Sequence, residues 1–148
     1  MTARTPWLLS AGWMSVVASL LHIGCIIGGP DWYRFFGAGE AMAQAAARGS
    51  LVPPIMTSVI AAILAAWAVF AFGAAGIGWR PPLARTALVA ISTVLLARAA
   101  MAFVPAFWPP ENQTTAFIAT TSAICLVMGA CFTIGTWLAW PQLSQRKA

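Results

Sequence analysis

Charged residues are what this sequence has least of. Three carboxylates, eight lysines and arginines and one histidine are spread over 148 residues, a charged fraction of 7%, against about a quarter in typical soluble domains. That excludes a water-soluble globule, which needs far more polar surface. The single histidine, His22, excludes a haem held by two histidines of one chain; a His22–Met101 pair at similar depth is the remaining intrachain arrangement. A catalytic zinc usually takes three protein ligands, and only His22, Asp31 and Glu40 could be forced into such a set, with no motif to fix their geometry. No metal is expected and no cofactor is assigned. The three cysteines, Cys25, Cys125 and Cys131, form no Cys-x-x-Cys motif, and Cys125 and Cys131 fall on different faces of one helix. Phosphate loops, nucleotide fingerprints, EF-hands and the G-x-S-x-G elbow are absent as well.

What the chain does contain is long apolar runs. Hydrophobic residues make up 61% of it, and crossing a ~30 Å hydrocarbon core takes roughly 20 apolar residues. Four runs meet that length: Trp7–Gly29, Pro53–Gly78, Leu83–Pro105 and Thr114–Trp140. The expected fold is an all-α membrane protein, one domain over residues 1–148 built as a bundle of four transmembrane helices. Breaker residues border the runs: "GGP" after the first, "PP" at Pro53–Pro54, "WRPP" between the second and third, and "WPPENQ" before the fourth. The short "WRPP" connection predicts that the second and third helices are antiparallel neighbours. Trp7, Trp32, Trp79, Trp108, Trp137 and Trp140 cluster at run ends, as rings anchored at headgroup level do.

Basic residues set the expected orientation. The N-terminus, the second connection and the C-terminus share one side and carry Arg4, Arg80, Arg85, Arg146 and Lys147, against Arg34 and Arg48 on the other. Basic connections stay cytoplasmic, so both termini are expected in the cytoplasm of a bacterial inner membrane. The net charge of +5 is mostly this signal, and no nucleic-acid partner is expected. The first run exceeds the usual signal-peptide core and lacks a small-residue cleavage site, and "LHIGC" has histidine where a lipoprotein box has leucine, so that run is expected to remain as a helix. "NQT" at Asn112–Thr114 matches a glycosylation pattern but abuts the fourth helix, out of reach of an enzyme.

The first outer connection, residues 30–52, has its own pattern. "GGPDWYRFFGAG" reads as a turn leading into an interfacial aromatic segment broken by Gly37 and Gly39. "EAMAQAAAR", Glu40–Arg48, is rich in helix formers, with an acid in its first turn and a base in its last, the polarity that suits a helix dipole. A short interfacial helix is expected there, as a lid or an anchor.

Arg98 is a charge inside a span, a placement that costs roughly 2.5–3.5 kcal/mol on insertion scales and turns such side chains toward the bundle interior, water or a partner. Its distance from Pro105 equals that of His22 from Gly29, which puts both residues roughly 10 Å below the outer boundary. Gly12, Ser15, Ser19, His22 and Gly29 share a helical stripe that should face the bundle. Thr57 and Ser58 from the second run, and Thr120, Thr121 and Ser122 from the fourth, should reach the same layer, while the inner half reads as almost wholly apolar. The expected site is an outward-facing pocket formed by His22, Arg98, Glu40 and Asp31 and covered by Trp32, Tyr33, Phe35 and Phe36. Arg98 would hold an anionic group in its planar fork of donors, and His22 would exchange protons. The structural alternative pairs Arg98 with Glu40 or Asp31 to fasten the connection to the bundle.

The expected function is binding of a small anionic or amphipathic ligand such as a lipid or quinone. One alternative is an accessory or assembly subunit of a larger membrane complex, or a homo-oligomer, docking through the small-residue faces of the second helix. Another is an enzyme or proton-coupled transporter with His22 and Glu40 as proton carriers.

Overall fold

The computed structural model describes residues 5–104 and 115–144. Within them the chain forms α1 (Pro6–Phe35), α2 (Glu40–Ala47), α3 (Val52–Ala74), α4 (Ala84–Ala100), a 3-10 turn at Met101–Phe103, and α5 (Thr115–Ser144). Four helical segments, Pro6–Phe35, Val52–Ala74, Ala84–Phe103 and Thr115–Ser144, are long and apolar enough to cross a membrane. The chain is therefore a helical membrane bundle. The expected boundaries at Pro105 and Thr114, the connection between them, Trp108, Arg4, Arg146 and Lys147 all lie outside the described residues.

The helix ends follow local chemistry. The first span does not stop at "GGP". Gly29 takes φ 66°, ψ −149° and breaks the helix, which resumes at Pro30 and runs to Phe35. Only glycine adopts that conformation readily, and proline fits the first turn of the resumed helix because its missing N–H has no partner there anyway. The expected turn and aromatic segment is thus a helical extension set at an angle. α3 ends at Ala74 rather than at Gly78, because Gly76 and Gly78 both turn left-handed, φ 83° and 72°. α5 continues past Trp140 through Pro141 to Ser144.

Packing departs from chain order. α3 lies mainly on α1 and α4 mainly on α5, with α1 and α5 joining the two pairs and only slight contact between α3 and α4. The short α3–α4 hairpin makes those helices consecutive without making them each other's main neighbours. The small-residue stripe of α1 does face the bundle: Gly12, Ser15 and Ser19 are buried, and Ser19 Oγ donates across the seam to Ala61 O of α3 at 2.8 Å. Gly135 of α5 lets Leu8 approach so closely that a Cβ there would sit 2.7 Å from Leu8 Cγ.

The main core lies toward the α3–α4 hairpin, where Leu8, Leu88 and Phe132 are fully buried beside Met128. A second cluster at the opposite end joins Cys25, Tyr33 and Ala43, with Phe36 and Ala46 against it. In each span only 28% of the most apolar window is buried, so sites on this bundle lie along its seams.

Candidate functional site

At the α2 end, the break at Gly29 folds the Pro30–Phe35 segment back over α1. Trp32 settles on Gly24 and Gly28, leaving no room for a Cβ on Gly28. Tyr33 wedges between α1 and α2, 3% exposed, and its Oη has no partner among the described residues. Phe36 stacks near Phe35 and Trp32, at centroid distances of 5.1 and 5.7 Å. Phe117 of α5 closes over Gly37, again with no space for a side chain there.

Arg34 organises the ionisable groups of this connection. Its Nε donates to Glu40 Oε2 at 3.0 Å and its Nη2 to Glu40 Oε1 at 3.1 Å, while Nη1 reaches Asp31 Oδ1 at 3.1 Å. The hydrogen bonds from Arg34, with a further one from Gln44, hold the Glu40 carboxyl below its ordinary pKa. The clasp is exposed. The sequence places Arg34 in the outer connection with Asp31 and Glu40 but outside the expected site, and its i, i+3 spacing to Asp31 is the signal for their pairing.

Arg98 stands elsewhere, on α4 facing the first turns of α5. Its Nη1 reaches Ser122 Oγ and its Nη2 Thr121 Oγ1, both at 3.4 Å, from a partly buried position. Thr121 also donates back to Phe117 O at 2.9 Å. His22 lies on the α1 stripe one turn beyond Ser19, its Nδ1 2.7 Å from Ala18 O. A carbonyl only accepts, so Nδ1 carries a proton and donates it.

The expected cluster is therefore distributed. Asp31 and Glu40 are brought together by Arg34, Tyr33 and Trp32 pack into the folded-back segment, Arg98 joins the hydroxyls of α5, and His22 bonds within its own helix. Among the described residues, no three His, Cys, Asp or Glu side chains gather where they could hold a metal ion.

A further feature is a groove of about 480 Å³ between α4 and α5, lined by Ser92, Thr93, Thr133 and Thr136 together with Val89, Leu96, Trp137 and Trp140. It lies in the part of the bundle that the sequence had suggested to be almost wholly apolar. The hydroxyls of Ser92, Thr93 and Thr133 bond the carbonyls of Leu88, Val89 and Gly129 in their own helices. Only the pairing of α4 with α5, which hydropathy does not reveal, brings them into one wall. Toward Arg98 the seam closes, because Leu96 packs on Gly129 so tightly that a Cβ there would lie 2.9 Å from Leu96 Cδ2.

Fold and seams together define the class as a small helical membrane bundle with polar groups set between its spans. Comparison with protein-family models, curated proteins and solved structures finds no match, so function is argued from the chain's own geometry.

Proposed function

We propose that the protein binds a small anionic or amphipathic membrane molecule, a lipid or quinone headgroup, at the α2 end of the α4–α5 seam. Arg98 is the anion-holding residue, and Thr121 and Ser122 are its hydroxyl partners. The observation that carries this reading is the Arg98 fork, directed from a membrane-spanning helix at two hydroxyls 3.4 Å away. A guanidinium offers planar donors matched to carboxylate or phosphate oxygens, and hydroxyls both donate and accept beside it. Ionisable side chains within spans are costly to keep and commonly mark sites.

In this reading the chain is a multi-pass protein of a bacterial inner membrane, to which its four apolar helices lend support. The Arg80 and Arg85 end is cytoplasmic by the charge rule, which turns the Arg98 set outward. In this reading α2 lies at the outer interface, and its fastening to α1 by the Arg34 clasp and by the burial of Ala43 and Tyr33 against Cys25 favours an anchor over a mobile lid.

The test is organic extraction of the purified protein and of a Thr121→Val, Ser122→Ala double variant, with lipids and quinones quantified by mass spectrometry. A molecule enriched with the parent and depleted in the variant supports the reading. Identical profiles contradict it.

A second reading, an accessory subunit or homo-oligomer, draws on α3. Ala61 is buried against α1, but Ser58, Ala62 and Ala66 lie exposed at i, i+4 spacing, the small-residue pattern that lets transmembrane helices approach closely. Crosslinking through Ala62→Cys separates the two readings, since only docking on this face produces a crosslinked species.

A further inference from the structure

Arg85 lies over the ring of Trp140, 3.8 Å from its centroid, and that ring forms part of the wall of the α4–α5 groove. One wall residue has an unmet need. Thr136 is 4% exposed, and its Oγ1 has no hydrogen-bond partner among the described residues, unlike the other three hydroxyls of the groove. A buried polar group left in that state costs roughly 1–3 kcal/mol, so an occupant that parts the α4–α5 wall far enough to bring a polar atom to Thr136 Oγ1 would be favoured.

Positive charge gathers at the hairpin mouth of the same groove. α4 begins there after Leu83, whose side chain supplies no cap, so the N–H groups of its first turn and the helix dipole add to the charge of Arg85. Arg80 is fixed nearby by two 3.1 Å bonds from Nη1 and Nη2 to Gln142 O. From Arg85 to Leu96, where the groove is sealed against Gly129, α4 rises roughly 16 Å. That is about half of a ~30 Å hydrocarbon core, the depth of one leaflet. Thr136 stands about one helical turn from Trp140, which sets its hydroxyl below the charged mouth as an ester carbonyl lies below a phosphate.

We infer that the groove holds one phospholipid with an anionic headgroup, drawn from the leaflet on the hairpin side. Arg85 and the first turn of α4 take the headgroup, the Thr136 hydroxyl donates to an ester carbonyl, and an acyl chain lies along Val89, Leu96 and Trp137. The site is separate from the Arg98 set and does not depend on it.

The test is native mass spectrometry of the full chain released from micelles containing phosphatidylcholine and phosphatidylglycerol in equal amount, with thermal unfolding of each variant recorded in parallel. The parent retains phosphatidylglycerol preferentially. Arg85→Gln lowers the phosphatidylglycerol to phosphatidylcholine ratio about fivefold, the effect of one basic residue at a membrane surface. Thr136→Val weakens retention of both lipids and leaves their ratio unchanged, and Val89→Trp, which fills the groove, removes both. Equal retention of the two lipids by the parent, an unchanged ratio in a folded Arg85→Gln variant, or parental retention by Val89→Trp would overturn the inference. Loss of all phosphatidylglycerol in Arg98→Ala, together with parental retention in Thr136→Val, would assign the lipid to the other end of the seam and overturn it too.

Discussion

Arg34 grips Glu40 with two nearly parallel contacts, Nε to Oε2 at 3.0 Å and Nη2 to Oε1 at 3.1 Å, across the Gly37–Gly39 turn that separates α1 from α2. The same guanidinium holds Asp31. Glu40 thus fastens α2 to the folded-back end of α1, and Asp31 holds the arginine that Glu40 grips.

The clasp predicts acid sensitivity at the α2 end. Arg34 depresses the Glu40 pKa below its ordinary 4.5, so the clasp's stabilising contribution is fully present above that value. It is lost as pH falls through the depressed one. Glu40 is exposed, so the effect is small. Limited proteolysis at the Gly37–Gly39 turn by an acid-tolerant protease should rise with acidification in the parent, and Glu40→Gln should be cut readily at every pH. A Glu40→Gln variant as protected as the parent at neutral pH would argue against the clasp.

Trp32 depends on Gly28 for its seat. Gly28→Ala should destabilise by about 1–3 kcal/mol, the usual cost of overpacking, because the new Cβ falls within the indole. Trp32→Ala should remove most of that penalty in the double variant, which a thermal double-mutant cycle measures as a coupling energy. Additive losses would mean that the ring does not rest there.

The α1 seams are predicted to differ in sensitivity. Ser19→Ala removes one interhelical hydrogen bond, to Ala61 O, and such bonds in membranes average only about 0.6 kcal/mol. Gly135→Val forces α5 away from Leu8, including its backbone N, and should cost several times more. Unfolding in mixed micelles compares the two, and equal losses would contradict the assigned contacts.

Orientation is open to direct labelling. A cysteine at the exposed Ile77 of the hairpin should react with an impermeant maleimide only after the membrane is opened, whereas one at exposed Gly49 should react in intact spheroplasts. These variants are made in a background with Cys25, Cys125 and Cys131 replaced by serine. The reverse pattern would invert the topology and place Arg98 toward the cytoplasm.

The spans were legible because hydropathy over roughly 20 residues reports burial in lipid directly. The helix at Glu40–Ala47 was legible from composition and its acidic first turn. Other features depend on which helices meet. "GGP" reads equally as a stop or as a break, and only the φ of Gly29 makes it a break. A short loop fixes chain proximity but not packing, so "WRPP" points to α3 and α4 as neighbours although each lies mainly on another helix. Depth puts Thr121 and Ser122 in the layer of Arg98, whose fork reaches both. It could not reveal that Arg34, closer in sequence, would take Asp31 and Glu40, or that Thr133 and Thr136 would line a groove with Ser92 and Thr93.

The most direct test of the account is native mass spectrometry of the gently solubilised protein beside its Arg98→Ala and Arg98→Lys variants. The account predicts a retained lipid or quinone that is lost from folded Arg98→Ala and not restored by lysine, which lacks the planar fork. A phospholipid in the Arg85 groove stays bound in all three proteins whatever the outcome. If every molecule that the parent retains is also retained by both variants, the account is contradicted and Arg98 is a fastening between α4 and α5.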